Sequence, residues 1–333
     1  MGDRMFDSID EVQKRLLDQS YIAGKKIATV VYLATKLNKP VLVEGPAGVG
    51  KTELAKVVAS AVGRKLIRLQ CYEGLDESKA LYEWEYAKQL LYTQMLRDKI
   101  SDVIAGTKNL KEASERIASQ DDVFFSERFI VARPLLKAIT SPEPVLLLID
   151  EVDKSDPEFE AFLLEVLSDY TVSVPEVGTI VAKHVPLVFL TSNDAREMTD
   201  ALKRRCLHLH IDFPSTEEEV RILELKVPGI GARLVQDIVE LVQRIRKLDL
   251  KKTPSISETL DWARALMVLN ADELETELVN DTMMVILKHQ GDIAKAQSEL
   301  NALLQRKAAE KASGAPVAAP AQPAAPAKKS VLH

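Results

Sequence analysis

Apolar residues recur along this chain at two spacings, and the change from one to the other divides it. From about residue 10 to 37 they return at three- and four-residue steps, the period of an amphipathic helix. Residues 41–44 (VLVE) then form a short apolar run that predicts a buried strand, followed by a Gly-rich turn and a helix from Lys51. Four further β-branched or aliphatic runs predict strands: 65–70 (KLIRLQ), 145–150 (VLLLID), 185–192 (VPLVFLTS) and 206–211 (CLHLHI). Helical stretches separate them. That alternation predicts an α/β fold, a five-stranded parallel sheet covered by helices on both faces.

The segment 157–169 shows how local chemistry sharpens such a reading. Asp156 stands at the N-cap and Pro157 at the first helical position, where its missing N–H costs nothing. Phe159, Phe162, Leu163, Val166 and Leu167 share one face, which leaves Glu158, Glu160 and Glu165 to water. The β-rich piece 171–182, with Pro175 and Gly178 marking a turn, predicts a hairpin inserted before the next strand. After Pro214 the strand signals stop, and 216–226, 232–247, 257–269 and 272–289 read as helices. The expected organisation is an α/β domain over 1–214 with a charged helical excursion at about 76–118, and an all-α domain over 215–311. An Ala/Pro tract over 312–333 lacks core-forming residues and is expected to be disordered.

Composition narrows the function. The formal net charge of -6 argues against a general attraction to DNA or to anionic membrane. The 2 cysteines, Cys71 and Cys206, lie far apart and in no metal spacing, so neither a disulfide framework nor a zinc site is indicated. No apolar run approaches the ~20 residues of a membrane span. The N-terminus has no secretory apolar region, and Phe6 stands where myristoylation wants Ser or Thr. A cytoplasmic protein with reduced thiols is expected.

Gly45-Pro46-Ala47-Gly48-Val49-Gly50-Lys51-Thr52 fits G-x-x-x-x-G-K-[ST] in full, between a strand and a helix that continues with Glu53. The glycines let backbone N–H groups turn around phosphate oxygens, and the helix N-terminus adds its positive dipole end. Lys51 is expected on the β- and γ-phosphates of ATP, and the Thr52 hydroxyl on Mg²⁺. The strand 145–150 ends in Asp150, followed by Glu151. A carboxylate at such a position is costly unless a cation meets it, so Asp150 reads as the metal-side acid. Glu151 is placed to polarise the attacking water. Asn193 ends another strand, where an amide can orient that water or simply form a turn. Arg204 and Arg205 precede the last strand and, read alone, form a solvated basic turn. His184, His208 and His210 suggest no metal site.

The order of P-loop, Asp-Glu strand, Asn strand, Arg-Arg-Cys and helical lid resembles an AAA+ ATPase core over about residues 10–290. The hairpin at 171–182 resembles the helix-2 insert of one AAA+ clade. Within it, Tyr21-Ile22-Ala23-Gly24, GPAGVGKTELAK and CYEGLDESKALYEWEY are similar to the MoxR family, and ALKRRC and ETLDWARAL to its carbon monoxide dehydrogenase maturation-type branch. The resemblance implies Asn193 as sensor 1 and Arg205 as an arginine finger reaching a neighbouring subunit's ATP, with Arg204 in reserve. It implies Tyr21 and Ile22 near the adenine, a homo-oligomeric hexameric ring, a protein client and a von Willebrand A-type partner. Two features depart from the family. Lys51 and Asp150 are further apart than a minimal core needs, because of the excursion. The family's Ser-Pro-Arg sensor 2 is here Pro254-Ser255-Ile256-Ser257, so either Arg264, seven residues after Ser257 and on nearly the same helical face, substitutes or sensor 2 is absent.

The leading reading is an ATP-driven remodelling chaperone, in the direction of metalloenzyme maturation. A nucleic-acid motor or loader is the rival from another class, set back by the acidic charge and the lack of a basic stripe. A nucleotide-switched scaffold with little hydrolysis is the third. No Asn-Lys-x-Asp motif follows the P-loop, which turns the reading from a GTPase.

Overall fold

The computed structural model describes residues 5–95, 109, 129–174, 178–298 and 300. They fall into two compact units. One runs up to Pro228 and includes Ser255–Ser257; the other comprises Gly229–Pro254 and the chain from Glu258.

In the first unit, α1 (Ile9–Asp18) and α2 (Lys25–Leu37) precede β1 (Val41–Glu44), α3 (Lys51–Val62) and β2 (Lys65–Gln70). The single helical stretch expected at the N-terminus is thus two helices. Ser8 caps the first through its hydroxyl, which accepts from the Glu11 N–H at 3.1 Å. Ser20, in the left-handed region at φ 57, turns the chain between them. Next come α4 (Glu77–Ala80), β3 (Tyr82–Trp84), α5 (Tyr86–Met95), β4 (Ile130–Ala132) and α6 (Pro134–Ile139). Strands β5 (Val145–Asp150) and β8 (Leu187–Ser192) flank α7 (Pro157–Asp169) and the hairpin strands β6 (Thr171–Val174) and β7 (Gly178–Val181). Helix α8 (Asp200–Arg205), β9 (Leu207–His210) and α9 (Thr216–Lys226) complete the unit.

Five strands pair in the order β2-β5-β8-β1-β9, all parallel. Both central strands, β5 and β8, are buried along their whole length, as a sheet covered on both faces requires. The register sets Gln70 beside Asp150 and Glu44 beside Ser192. The C-terminal ends of four strands therefore line up, the edge at which open α/β sheets bind ligands. Pro186 has no N–H to give a ladder, and β8 begins only after it.

Several sequence expectations are corrected. Glu160 is not left to water but is fully buried, paired with Arg196 and accepting from the Thr199 N–H at 3.0 Å. Asp156 holds the N-cap position without a side-chain cap bond; its carboxylate accepts instead from the Gly74 N–H at 3.3 Å. The excursion is not wholly helical, since β3 and β4 form a small antiparallel pair. Three-residue strands are too short to show a period. The division between units falls at Pro228, where the sequence suggested 214, because α9 groups with the α/β unit. Lys226 at its end lies 3.5 Å from Glu53 of α3. The hairpin turn at 175–177, most of the excursion beyond Met95 and the 312–333 tract lie outside the described residues.

The second unit is helical, with α10 (Ala232–Ile245), α11 (Ile256–Val268, whose first two residues are grouped with the first unit) and α12 (Thr276–Ile286). Helix α10 buries Leu234, Val235, Ile238, Val239, Leu241, Val242 and Ile245 along one stripe. Trp262 is wholly buried, its indole N–H donating to the Thr282 hydroxyl at 2.9 Å. Asp292 closes the loop before α11 by accepting from the N–H groups of Lys251 and Lys252 at 3.0 and 3.2 Å.

Candidate functional site

The turn from β1 into α3 is built around two crowded glycines. A Cβ on Gly45, at φ 141, would stand 1.9 Å from the Ile211 carbonyl oxygen, so no side chain fits there. One on Gly48 would stand 2.2 Å from the Ser255 hydroxyl and 3.7 Å from that of Ser257. Pro46 and Ala47 form the outer part of the loop, Val49 is buried beneath it, and Gly50 begins α3 in the left-handed region. Lys51 is buried and donates to the carbonyls of Gly45 and Pro46, both at 2.6 Å. Burial pushes its ammonium pKa down, while Asp194, Asp153, Asp150 and Glu151 pull the other way. Among the described residues the cation is thus hydrogen-bonded to two neutral oxygens and forms no ion pair. It is arranged to meet an anion in the loop.

Asp150, at the end of β5, is buried and fully hydrogen-bonded. Its Oδ1 accepts from the Thr52 hydroxyl at 2.9 Å and the Thr191 hydroxyl at 2.5 Å. Its Oδ2 accepts from Arg68 Nε at 3.0 Å and Nη2 at 2.5 Å. Glu151 follows in a left-handed backbone conformation, φ 56, its N–H donating to Thr191 at 2.9 Å. That turn sends its carboxylate back across the strand ends. Gln70 and Lys154 donate to Oε2 at 2.8 and 2.7 Å, and the Asn193 amide to Oε1 at 3.3 Å. Glu151 in turn holds the Lys154 ammonium above its ordinary range. Asp153 steadies the Asn193 end by accepting from the N–H groups of Asn193 and Ala195, each at 3.1 Å.

Four of the expected residues, Thr52, Asp150, Glu151 and Asn193, are therefore brought into one hydrogen-bonded group. Tyr21 also reaches the loop, its ring 3.6 Å from where a Cβ on Gly50 would project. Burial, and then the charge of Glu53, push its phenol pKa up. Ile22 beside it is half-buried. Glu53 turns outward, towards Lys226 at 3.5 Å and Lys56 at 3.8 Å. Arg204 and Arg205 end α8, both exposed, and neither has an ion pair with a described residue. Arg264 belongs to the second unit, where it is exposed and bonded to Asp261 of its own helix at 3.1 Å. In the segment where the family resemblance expects a sensor-2 Arg, the hydroxyls of Ser255 and Ser257 stand beside Gly48. His208 pairs with Glu44, and no metal-holding cluster of His, Cys, Asp or Glu occurs among the described residues.

Arg68, Gln70, Lys154 and Thr191 were not singled out by motif. A signal for two of them was present: Arg68 and Gln70 are polar residues two apart in a strand, hence on one face of β2.

A Gly-rich loop between a parallel strand and a helix, with a buried lysine inside it and paired acids on a neighbouring strand, defines a P-loop nucleotide-binding core. The family of the AAA domain (dynein-related subfamily) matches residues 40–206, and the chain belongs to that ATPase family. Relatives agree in extent. An uncharacterized protein of Staphylococcus aureus (strain USA300) is 27% identical over 241 residues, 70% of this chain and 77% of its own. Its counterpart in strain NCTC 8325 / PS 47 is 26% identical over 241 residues. Among solved structures, the Thermotoga maritima RuvB Holliday junction branch migration motor is similar at 17% identity and a TM-score of 0.44, over 85% of this chain and 73% of that one. No helix among the described residues is long and apolar enough to cross a membrane.

Proposed function

We propose that this chain hydrolyses ATP in a MoxR-type ring and uses the turnover to remodel a protein client. The observation that carries this reading is the hydrogen-bonded set of Thr52, Asp150, Glu151 and Asn193 beside the loop that encloses Lys51. In this reading the loop N–H groups and Lys51 take the phosphates, Lys51 leaving the Gly45 and Pro46 carbonyls for phosphate oxygens. Tyr21 and Ile22 line the adenine side. Thr52 and Asp150 offer Mg²⁺ the all-oxygen donor chemistry it prefers, and their 2.9 Å contact supports a shared ligand. When bound, that ion neutralises charge on the transferred phosphoryl group. Glu151 polarises the attacking water, with Asn193 orienting both.

Arg205 acts from the neighbouring subunit, a role supported by its exposure and lack of an ion pair among the described residues, with Arg204 held in reserve. Seryl hydroxyls at the loop fit a lid that lacks a sensor-2 cation, rather than one in which Arg264 replaces it. The net charge of -6 favours a protein client over a nucleic acid. A metalloenzyme in maturation, with a von Willebrand A-type partner beside it, is the client that the MoxR branch resemblance suggests.

The test is Glu151→Gln, assayed for nucleotide binding by a fluorescent ATP analogue and for phosphate release. The variant should bind as the parent does and lose turnover by ~10²–10⁴-fold. Undiminished phosphate release would remove Glu151 from the mechanism and the reading with it.

A further inference from the structure

Asp150 already has a cationic partner. Arg68 sits on the edge strand β2, two residues before Gln70, and reaches over to the next strand with two donors on one oxygen of Asp150, Nε at 3.0 Å and Nη2 at 2.5 Å. The carboxylate is 2% exposed and the guanidinium 47%. One partner is thus fixed inside the fold, while the other stands on a half-solvated strand and can turn its own charge to water once another cation meets the carboxylate. The same Nη2 also donates to the Gln70 side-chain oxygen at 2.5 Å. An amide whose oxygen faces Arg68 must present its NH₂ to Glu151, as the 2.8 Å contact records. Arg68 therefore touches the metal-side acid directly and the water-polarising acid through Gln70.

We propose that Arg68 is the resident counter-ion of Asp150 and competes with the divalent cation for it. A buried carboxylate needs a positive partner at every stage of a nucleotide cycle. Arg68 supplies it in the metal-free site, and a divalent cation held by Asp150 and Thr52 would supply the same positive charge and so would compete with the guanidinium for the carboxylate. Its departure also frees the Gln70 amide from its fixed orientation towards Glu151. Arg68 is a positioning residue here, not a catalytic one. The cost of displacing it lowers the benefit that Mg²⁺ brings to nucleotide binding. This inference rests on the nucleotide-site reading above.

The experiment measures the affinity of the full chain for a fluorescent ADP analogue in EDTA and across a Mg²⁺ titration. The quantity read is the coupling factor, affinity with saturating Mg²⁺ divided by affinity without it. Arg68→Gln removes the competing charge, so the factor should rise by roughly ten- to a hundredfold, the range a charge-assisted hydrogen bond carries. Arg68→Lys keeps the charge but not the two-pronged fork, and should fall between. It also keeps the test open should Arg68→Gln not fold, because it too must exceed the parent. An unchanged or smaller factor in the folded variants overturns the proposal, since a side chain that merely orients Asp150 for the metal would lower it. Absence of nucleotide binding by the parent would sink the nucleotide-site reading itself, a result distinct from an unchanged factor.

Discussion

Arg196 and Glu160 form an ion pair that ties the segment after Asn193 to helix α7, which leads into the β6-β7 hairpin. The carboxylate is fully buried, and the same guanidinium donates to the Ser155 carbonyl at 3.1 and 2.6 Å. The two partners are not equivalent, because Arg196 is 28% exposed and Glu160 is not exposed at all.

Removing the arginine strands a charge in the interior; removing the acid leaves a guanidinium that can turn to water. Arg196→Met should therefore destabilise the chain by about 3–5 kcal/mol, the usual cost of an uncompensated buried charge. Glu160→Gln should cost less, about 1–3 kcal/mol. Urea unfolding of the two variants reads both, and equal losses would contradict the asymmetry.

The proposed ring action makes a separate prediction. Lys51→Ala keeps its arginines and loses its phosphate lysine, whereas Arg205→Ala does the reverse. Each alone should be nearly inactive, since a finger acting in trans is worth ~10³–10⁵ in rate. Mixing the two should restore part of the phosphate release if subunits exchange. A mixture that exchanges yet stays dead would move the role to Arg204.

The cysteines should be quiet in the native state. Burial pushes the Cys71 thiol up to about 12, with Asp150, Asp153 and Glu151 adding to it, and burial alone pushes Cys206 up to about 12. The ordinary thiol value is 9.0, so the native chain keeps protons that the unfolded chain loses first. Stability tied to these groups is complete below about pH 9 and falls as pH rises towards 12. Iodoacetamide at pH 8 should label both thiols far more slowly in buffer than in urea, as intact mass will show.

Much of this was legible in the sequence, for reasons that differ by element. Strands β5 and β8 announced themselves because each is a run of apolar residues buried on two faces, as in VLLLID, whereas the edge strands β2 and β9 are only partly buried and showed as short aliphatic runs broken by polar residues. Lys51 and Thr52 could be singled out because the G-x-x-x-x-G-K-[ST] pattern joins residues that are neighbours in sequence. Arg68 and Gln70 were missed because their partners, Asp150 and Glu151, are brought alongside only by the β2-β5 register. Glu160 was misread for a related reason. Helical periodicity assigns a charged side chain to water, and nothing local reveals an arginine arriving from after β8. Strands β3 and β4 escaped because each is three residues long and its partner lies across the excursion.

The left-handed backbone at Glu151 has a consequence for how such a protein ages under selection. A residue with a Cβ pays about 1–2 kcal/mol in that conformation, most when branched, and glycine pays none. Glu151→Val should therefore melt lower than Glu151→Gly, because both lose the contacts with Gln70, Lys154 and Asn193 and only valine pays for the backbone. A population screened for thermal endurance alone would weigh the backbone relief that glycine brings against the loss of those contacts, and would exclude branched residues. On the proposed role of Glu151, demand for turnover is what keeps a carboxylate at this backbone cost.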